Sequence, residues 1–484
     1  MAEFDTVIRN AVVATAADIF EADLGITGGV ISAMGRGLGP ARRDIDAARR
    51  YVLPGGIDTH CHFDQPMRDS VTLADDFLSG TVSAAHGGTT MVMPFACQLQ
   101  GQGVRAAVED YHRRAGQKPV IDYGFHLIIS DPTDAVLHDE LPALIQEGYT
   151  SFKIYMTYET LKLDDRQIIS VLALARREGA MAMVHAENSD CIAWLTAELE
   201  RQGQTAPYFH AISRPQAVER EGTHRAITMS EIVDAPILLV HVSSADAVEQ
   251  IRWAHGRGLK ILAETCPQYL VLTAEHLRAP GFEGAKYICS PPPRDAASQQ
   301  AVWHGLASGV FDVVSSDHAA FRFDDPQGKR RHGDAAPFTK VPNGLPGVET
   351  RMPLLFSEGV GKGRIDLTKF VALTATNAAK IYGLYPRKGT IAIGSDADVV
   401  IWDKDRDVVI THEILHSNCD YTPYEGMRVR GWPAVVFSRG EIVVEEGTSC
   451  SRSPDRGNSS AATAPAPRCP SRRAATSRLS TGRG

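Results

Sequence analysis

Between roughly residues 53 and 377, short apolar runs alternate with longer amphipathic stretches. The apolar runs, at 55–62, 89–95, 121–129, 151–155, 181–186, 237–242, 260–265 and 311–316, have the length and β-branched content of buried strands. Between them, stretches such as 72–85, 104–115, 167–178 and 245–255 carry apolar residues at helical spacing. Strands and helices in strict alternation predict an α/β fold, specifically a (β/α)8 TIM-like barrel spanning 53–377. The flanks differ. Residues 4–15 and 23–34 are β-branched-rich, the second interrupted by Gly28 and Gly29 as a hairpin would be, and the same texture returns at 388–402 and 427–445. Neither end buries much alone. Together, 1–52 and 378–447 predict one small β-sandwich domain built from both chain ends.

Composition narrows the function classes. A hydrophobic fraction of 43% and a charged fraction of 22% are those of a folded globular protein. The net charge of −8 argues against a nucleic-acid partner. No run approaches the ~18 apolar residues of a membrane span, and Glu3 and Asp5 precede any apolar stretch, the wrong order for a secretory leader. Eight cysteines without a CxxC pair read as reduced thiols, so a cytoplasmic location is expected. Residues 448–484 change character. From Ser449 onward, seven Arg against one Asp give +6, leaving −14 on the rest, and Leu479 is the one large aliphatic residue. Such a segment cannot bury enough apolar area to order itself, and a disordered tail is expected. No glycine-rich phosphate loop follows any predicted strand, so dinucleotide and P-loop sites lack support.

Candidate chemistry gathers at predicted strand ends. His60 and His62 stand two apart on a strand, so both imidazoles project to one face. With 17 His in the chain such a pair arises by chance about 0.6 times, and it is weak alone. His185 closes the fifth strand, His241 the sixth, and Asp317 follows the eighth. Barrel active sites form where strand C-terminal ends converge, so these residues meet there. Histidines with a carboxylate are a common zinc set, and a set this rich can hold two metals. His86, His112, His255 and His304, in or beside helices, read instead as structural histidines. Lys153 sits inside the fourth strand, where an ammonium is costly and cannot ligate a metal. Either it is ion-paired or snorkels, or CO2 converts it to a carbamate able to bridge two cations; among these histidines the carbamate is the favoured reading.

These motifs, GGIDTHCH, the Lys of SFKIYMTY, the two strand-end histidines and SSDHA, resemble the amidohydrolase superfamily, and within it the dihydropyrimidinase/D-hydantoinase family of cyclic-amide hydrolases. The resemblance covers about residues 1–447. It implies two zinc ions per subunit: His60 and His62 on one, His185 and His241 on the other, carboxylated Lys153 (N6-carboxylysine) bridging, and Asp317 completing the first and handling the proton. It also implies Tyr158 as the oxyanion donor, Ser290 of CSPPPR and Asn343 of VPNGLPGVE at the ring imide, and a homo-oligomer, tetramer or dimer. On residues alone, Tyr158 equally suits a loop aromatic at a subunit contact, and Ser290 and Asn343 suit turn chemistry. Dihydroorotases usually carry a carboxylate-gripping Arg where this chain has Asp64, and allantoinases usually lack the Tyr at position 158. The expected activity is therefore ring-amide hydrolysis of hydantoins or 5,6-dihydropyrimidines to N-carbamoyl amino acids. Allantoinase or dihydroorotase activity is the alternative, and a non-catalytic scaffold resembling the collapsin-response mediator proteins is a further one. The loops at 63–73 and 95–101 hold no readable substrate code.

Overall fold

The computed structural model describes residues 2–67 and 71–445, so the tail expected at 448–484 lies outside the described residues, as does part of the 63–73 loop. Eight barrel strands follow one another: β1 (Gly56–Cys61), β2 (Thr89–Cys97), β3 (His126–Ile128), β4 (Ser151–Tyr155), β5 (Met181–His185), β6 (Ile237–Leu239), β7 (Ile261–Thr265) and β8 (Val313–Val314). Each pairs in parallel with the next. The ring closes where Cys61 bridges His318 and the His62 N–H donates to the His318 carbonyl at 2.7 Å. Every residue of β1, β2 and β4 is buried, which is why these runs lack the apolar–polar alternation of a half-exposed strand.

Two strands and one helix depart from expectation, each for a local reason. The run at 121–129 splits into Asp122–Tyr123 and β3 around Gly124 and Phe125. The eighth run contracts to two residues, because the Ser316 N–H donates to the Asp58 carboxylate at 3.1 Å instead of continuing the ladder. The helix expected from residue 72 starts at Phe77: the Asp76 carboxylate accepts from the Leu78 and Ser79 N–H groups at 2.9 and 3.0 Å and caps it there. Asp75 is drawn away to His318 at 3.0 Å. Helices Val104–Ala115, Asp165–Glu178 and Ala245–Gly256 form close to where their apolar spacing places them.

The chain ends build one continuous, mostly antiparallel sheet from Phe4–Ala14, Ile19–Thr27, Val30–Gly35, Ala41–Asp46 and Tyr51–Pro54 together with Val399–Val409, Arg428–Ser438 and Glu441–Glu445. Its two halves meet where Tyr51–Pro54 pairs with Val399–Val409. Ile8, Leu24, Val52, Ile401 and Phe437 share its apolar core, so both ends contribute to one hydrophobic unit separate from the barrel core. Thr27 pairs with Val30 across Gly28 and Gly29, whose φ of 60° and 80° suit a two-residue hairpin turn. Lys388 staples the sheet to the barrel, its ammonium 2.5 Å from Asp122 and 2.6 Å from Asp398. Among the described residues no helix is long and apolar enough to cross a membrane.

Candidate active site

The barrel brings the candidate metal-binding side chains to one mouth. His60 lies at the end of β1, Lys153 within β4 and His185 at the end of β5, while His241 and Asp317 follow β6 and β8. His60 Nε2 is 3.0 Å and His62 Nε2 3.5 Å from Asp317 Oδ1. These three residues form a group able to hold a metal ion. His185 Nδ1 and His241 Nε2 face each other at 2.9 Å. Between the two pairs, Lys153 Nζ reaches His60 Nε2 at 2.5 Å and lies 4.3 Å from the centre of the Phe95 ring. Tyr158, His241 and Asp317 have φ of 68°, 42° and 49°, a left-handed backbone that L-residues avoid at a cost of about 1–3 kcal/mol. The surrounding fold holds that strain at three functional candidates.

A shell of polar side chains missed by the sequence reading orients the imidazoles. His60 Nδ1 donates to Glu264 Oε1 at 2.6 Å, and the same oxygen accepts the His241 N–H at 3.1 Å. His62 Nδ1 donates to Gln65 at 2.6 Å and His185 Nε2 to Glu187 at 2.8 Å. With those outer nitrogens protonated, His60 Nε2, His62 Nε2 and His185 Nδ1 present lone pairs inward, the tautomers a metal ligand needs. Glu264 had a sequence signal, a carboxylate inside the apolar strand KILAET, of the same kind that drew attention to Lys153. Glu264→Gln is expected to lower zinc affinity or kcat/KM by about 10–100-fold, read by metal analysis and initial rates.

Charge at the site is tightly balanced. Burial pushes the Asp317 carboxyl up, but His60 and His62 outweigh it and hold it well below the usual carboxylate range. Burial brings Lys153 down to about 8, against the pull of Asp317 and Glu264. Burial also lowers His185 and His241, keeping both imidazoles neutral. A fully buried amine whose hydrogen-bond partner is an imidazole, beside two imidazoles with nitrogens face to face, is a costly arrangement for the bare side chains. Divalent cations bound by these residues would relieve it, so the residues present fit a metal centre.

The other candidates line the same cavity, of about 490 Å³, together with His62, Lys153, His185, His241 and Asp317. Asn343 Nδ2 donates to Ser290 Oγ at 3.2 Å, and Tyr158 lines the same cavity. Burial raises the Tyr158 phenol, which Arg214 partly counters, so it stays protonated as a donor at neutral pH. His60 lies beneath the cavity, fully buried. Gln65, Pro66, Met67 and Leu73 from one loop, and Cys97 to Gln100 from another, wall its far side. Asp64 does not line it: its carboxylate pairs with Arg114 at 3.1 Å. Position 64 therefore neither grips nor repels a substrate anion.

Two other ligand-like clusters have different uses. His86 and His416 stack flat, ring centres 3.4 Å apart and planes 12° from parallel, with Glu349 on His416 at 2.9 Å. Parallel stacked rings aim their lone pairs in separate planes, not at one point. Asp122, Asp396 and Asp398 surround the Lys388 ammonium. His112 donates to or accepts from the Tyr149 hydroxyl at 2.7 Å, and His255 Nε2 bonds the Ile261 carbonyl at 2.8 Å, as structural histidines do.

A barrel with histidines, a buried lysine and an aspartate at its C-terminal mouth defines a metal-dependent hydrolase class. The sequence model described as the amidohydrolase family matches residues 51–443, and the chain belongs to that family. More particularly, it is 45% identical over 445 residues to a D-hydantoinase from Ralstonia pickettii, covering 92% of this chain and 96% of that one. It is 47% identical over 442 residues to a D-hydantoinase from Geobacillus stearothermophilus, covering 91% and 93%. A crystal structure of a dihydropyrimidinase from Brevibacillus agri superposes with a TM-score of 0.89 at 44% identity, covering 92% of this chain and 96% of that one.

Proposed function

We propose that this chain hydrolyses the ring amide of hydantoins and 5,6-dihydropyrimidines, releasing N-carbamoyl amino acids. The observation that carries it is the convergence of His60, His62, Lys153, His185, His241 and Asp317 at the barrel mouth, with Tyr158, Ser290 and Asn343 on the same cavity. His60, His62 and Asp317 would hold one zinc ion and His185 and His241 a second, with Lys153 between them as a carbamate formed from CO2 with release of a proton. Bound there, the metals supply a water acidified toward pKa ~7 and a polarised carbonyl. Asp317 takes the proton of the attacking water and returns it to the departing ring nitrogen. Tyr158 donates its hydroxyl hydrogen to the oxygen that gains charge as the amide carbon becomes tetrahedral. Ser290 and Asn343 hold the ring imide, and the walls formed by Gln65, Pro66, Met67 and Leu73 and by Cys97–Gln100 receive the 5-substituent. The names of the similar proteins support D-hydantoins as the preferred hand. A homo-oligomer and a cytoplasmic location belong to the same reading.

Retention of every ligand position sets the scaffold alternative aside. Among cyclic amides, the site offers a neutral imide a complementary wall, while among the described residues lining the cavity a substrate carboxylate meets no arginine free of a carboxylate partner: Arg214 pairs with Glu187 at 3.5 Å. Hydantoin or dihydrouracil is therefore expected to open at least about a hundredfold faster than dihydroorotate, a difference of about 2.7 kcal/mol in transition-state binding. Initial rates on hydantoin, dihydrouracil, D- and L-5-phenylhydantoin, allantoin and dihydroorotate check this. Equal rates on dihydroorotate would defeat the substrate assignment.

A further inference from the structure

Lys329 is fully buried, and it belongs to no element of the barrel. Among the described residues it has no carboxylate at ion-pair distance. Its ammonium donates to the Ile288 carbonyl at 3.2 Å and to the Pro342 carbonyl at 3.1 Å. Those carbonyls lie on the two segments that carry Ser290 and Asn343. The same segments are clipped by the Gly344 N–H on the Ile288 carbonyl at 3.0 Å and by the Asn343 amide on Ser290 at 3.2 Å. Behind them, a Cβ on Gly344 would stand 2.3 Å from the Ala319 carbonyl, so the Asn343 segment is wedged against the strand end bearing Asp317. The loop's own backbone anchors the lysine, with the Lys329 N–H on the Arg322 carbonyl at 2.8 Å.

A buried cation held only by backbone carbonyls is expensive, and an apolar side chain would fill the same space at less cost were filling all that was needed. What the amine supplies is a fixed separation between two chain segments that otherwise touch through one side-chain bond and one backbone bond. We propose that Lys329 is a positioning residue: by drawing the Ile288 and Pro342 carbonyls onto one nitrogen, it sets the spacing of Ser290 and Asn343 and hence the grip on the substrate ring. This rests on the reading of Ser290 and Asn343 as ring contacts. Burial also brings the Lys329 amine down to about 7, so its charge, and the strength of both bonds, changes near neutrality. The titratable groups facing it are the Cys289 and Cys419 thiols and, more distantly, the His210 imidazole. Burial pushes both thiols up and His210 down to about 3, so all three stay neutral while Lys329 titrates.

The test is steady-state kinetics of the metal-loaded enzyme on hydantoin. Lys329→Met keeps the stem and removes both donors. The expected result is a KM raised about tenfold with kcat within about threefold, zinc content unchanged. A purely structural lysine would lower the melting temperature and leave KM alone; a folded, metal-replete variant with unaltered KM overturns the proposal. Should Lys329→Met not fold, the unmodified enzyme decides. Its KM is expected to rise between about pH 6 and about pH 8.5 with a midpoint near 7, while a flat KM overturns the proposal. Ser290→Ala and Asn343→Ala separate the two failures. If neither raises KM, the ring-contact reading is wrong; if both do and Lys329→Met does not, only the role of Lys329 falls.

Discussion

His185→Ala is expected to lower turnover roughly a thousandfold or more and to remove part of the bound metal. The imidazole is fixed at both ends, Nε2 on Glu187 at 2.8 Å and Nδ1 opposite His241 at 2.9 Å. Without it, His241 would share its side of the mouth with the bridging Lys153 alone. Glu187 keeps its Arg214 partner at 3.5 Å, so the cavity wall stands and the loss is specific to the metal. His60→Ala removes the other half and leaves Glu264 buried without the proton it accepts from Nδ1, which costs stability as well. Zinc per chain and kcat on hydantoin check both variants. Wild-type turnover and zinc content in either one would show the ligand assignment to be wrong.

Lys153→Ala is expected to be almost as inactive, with a difference that identifies its role. The variant retains the four histidines and Asp317, so metal still binds, but the bridge between the two sides is gone. The side chain is fully buried and its removal leaves a space lined by Phe95 and His60. A small carboxylate such as acetate or propionate fits that space and offers the two oxygens a carbamate would. Some zinc-dependent turnover is therefore expected to return when a short-chain carboxylate is added. Lys153→Arg is expected to stay inactive under the same treatment, because the guanidinium keeps its charge and fills the volume. Rescue of Arg but not Ala, or of neither, argues for an ion-paired lysine instead.

The sequence made the barrel legible because parallel strands buried on both faces read as runs without apolar–polar alternation, and because helices such as Val104–Ala115 show their apolar stripe plainly. The end of each strand could then be read, and with it His60, His185, His241 and Asp317. What stayed hidden was whatever depends on contacts across the fold. Glu264 and Glu187 matter through the nitrogen each holds, and only the assembled barrel brings Glu264 onto both His60 and His241. The contraction of β8 follows from one bond between Ser316 and Asp58, 258 residues apart. Asp64 occupies the position of the dihydroorotase Arg, but its backbone is left-handed, φ 48°, and its carboxylate pairs with Arg114 instead of facing the cavity. Lys329 gave no signal, since loop lysines are ordinarily solvated and nothing in the adjacent residues marks this one as buried.

The most direct measurement is hydantoin ring opening by the protein before and after metal removal. Protein stripped by a chelator is expected to release no N-carbamoyl product, and zinc with bicarbonate is expected to restore turnover at about two equivalents per chain. Full turnover after complete metal removal, or no ring opening by fully zinc-loaded protein, would contradict a binuclear cyclic-amide hydrolase.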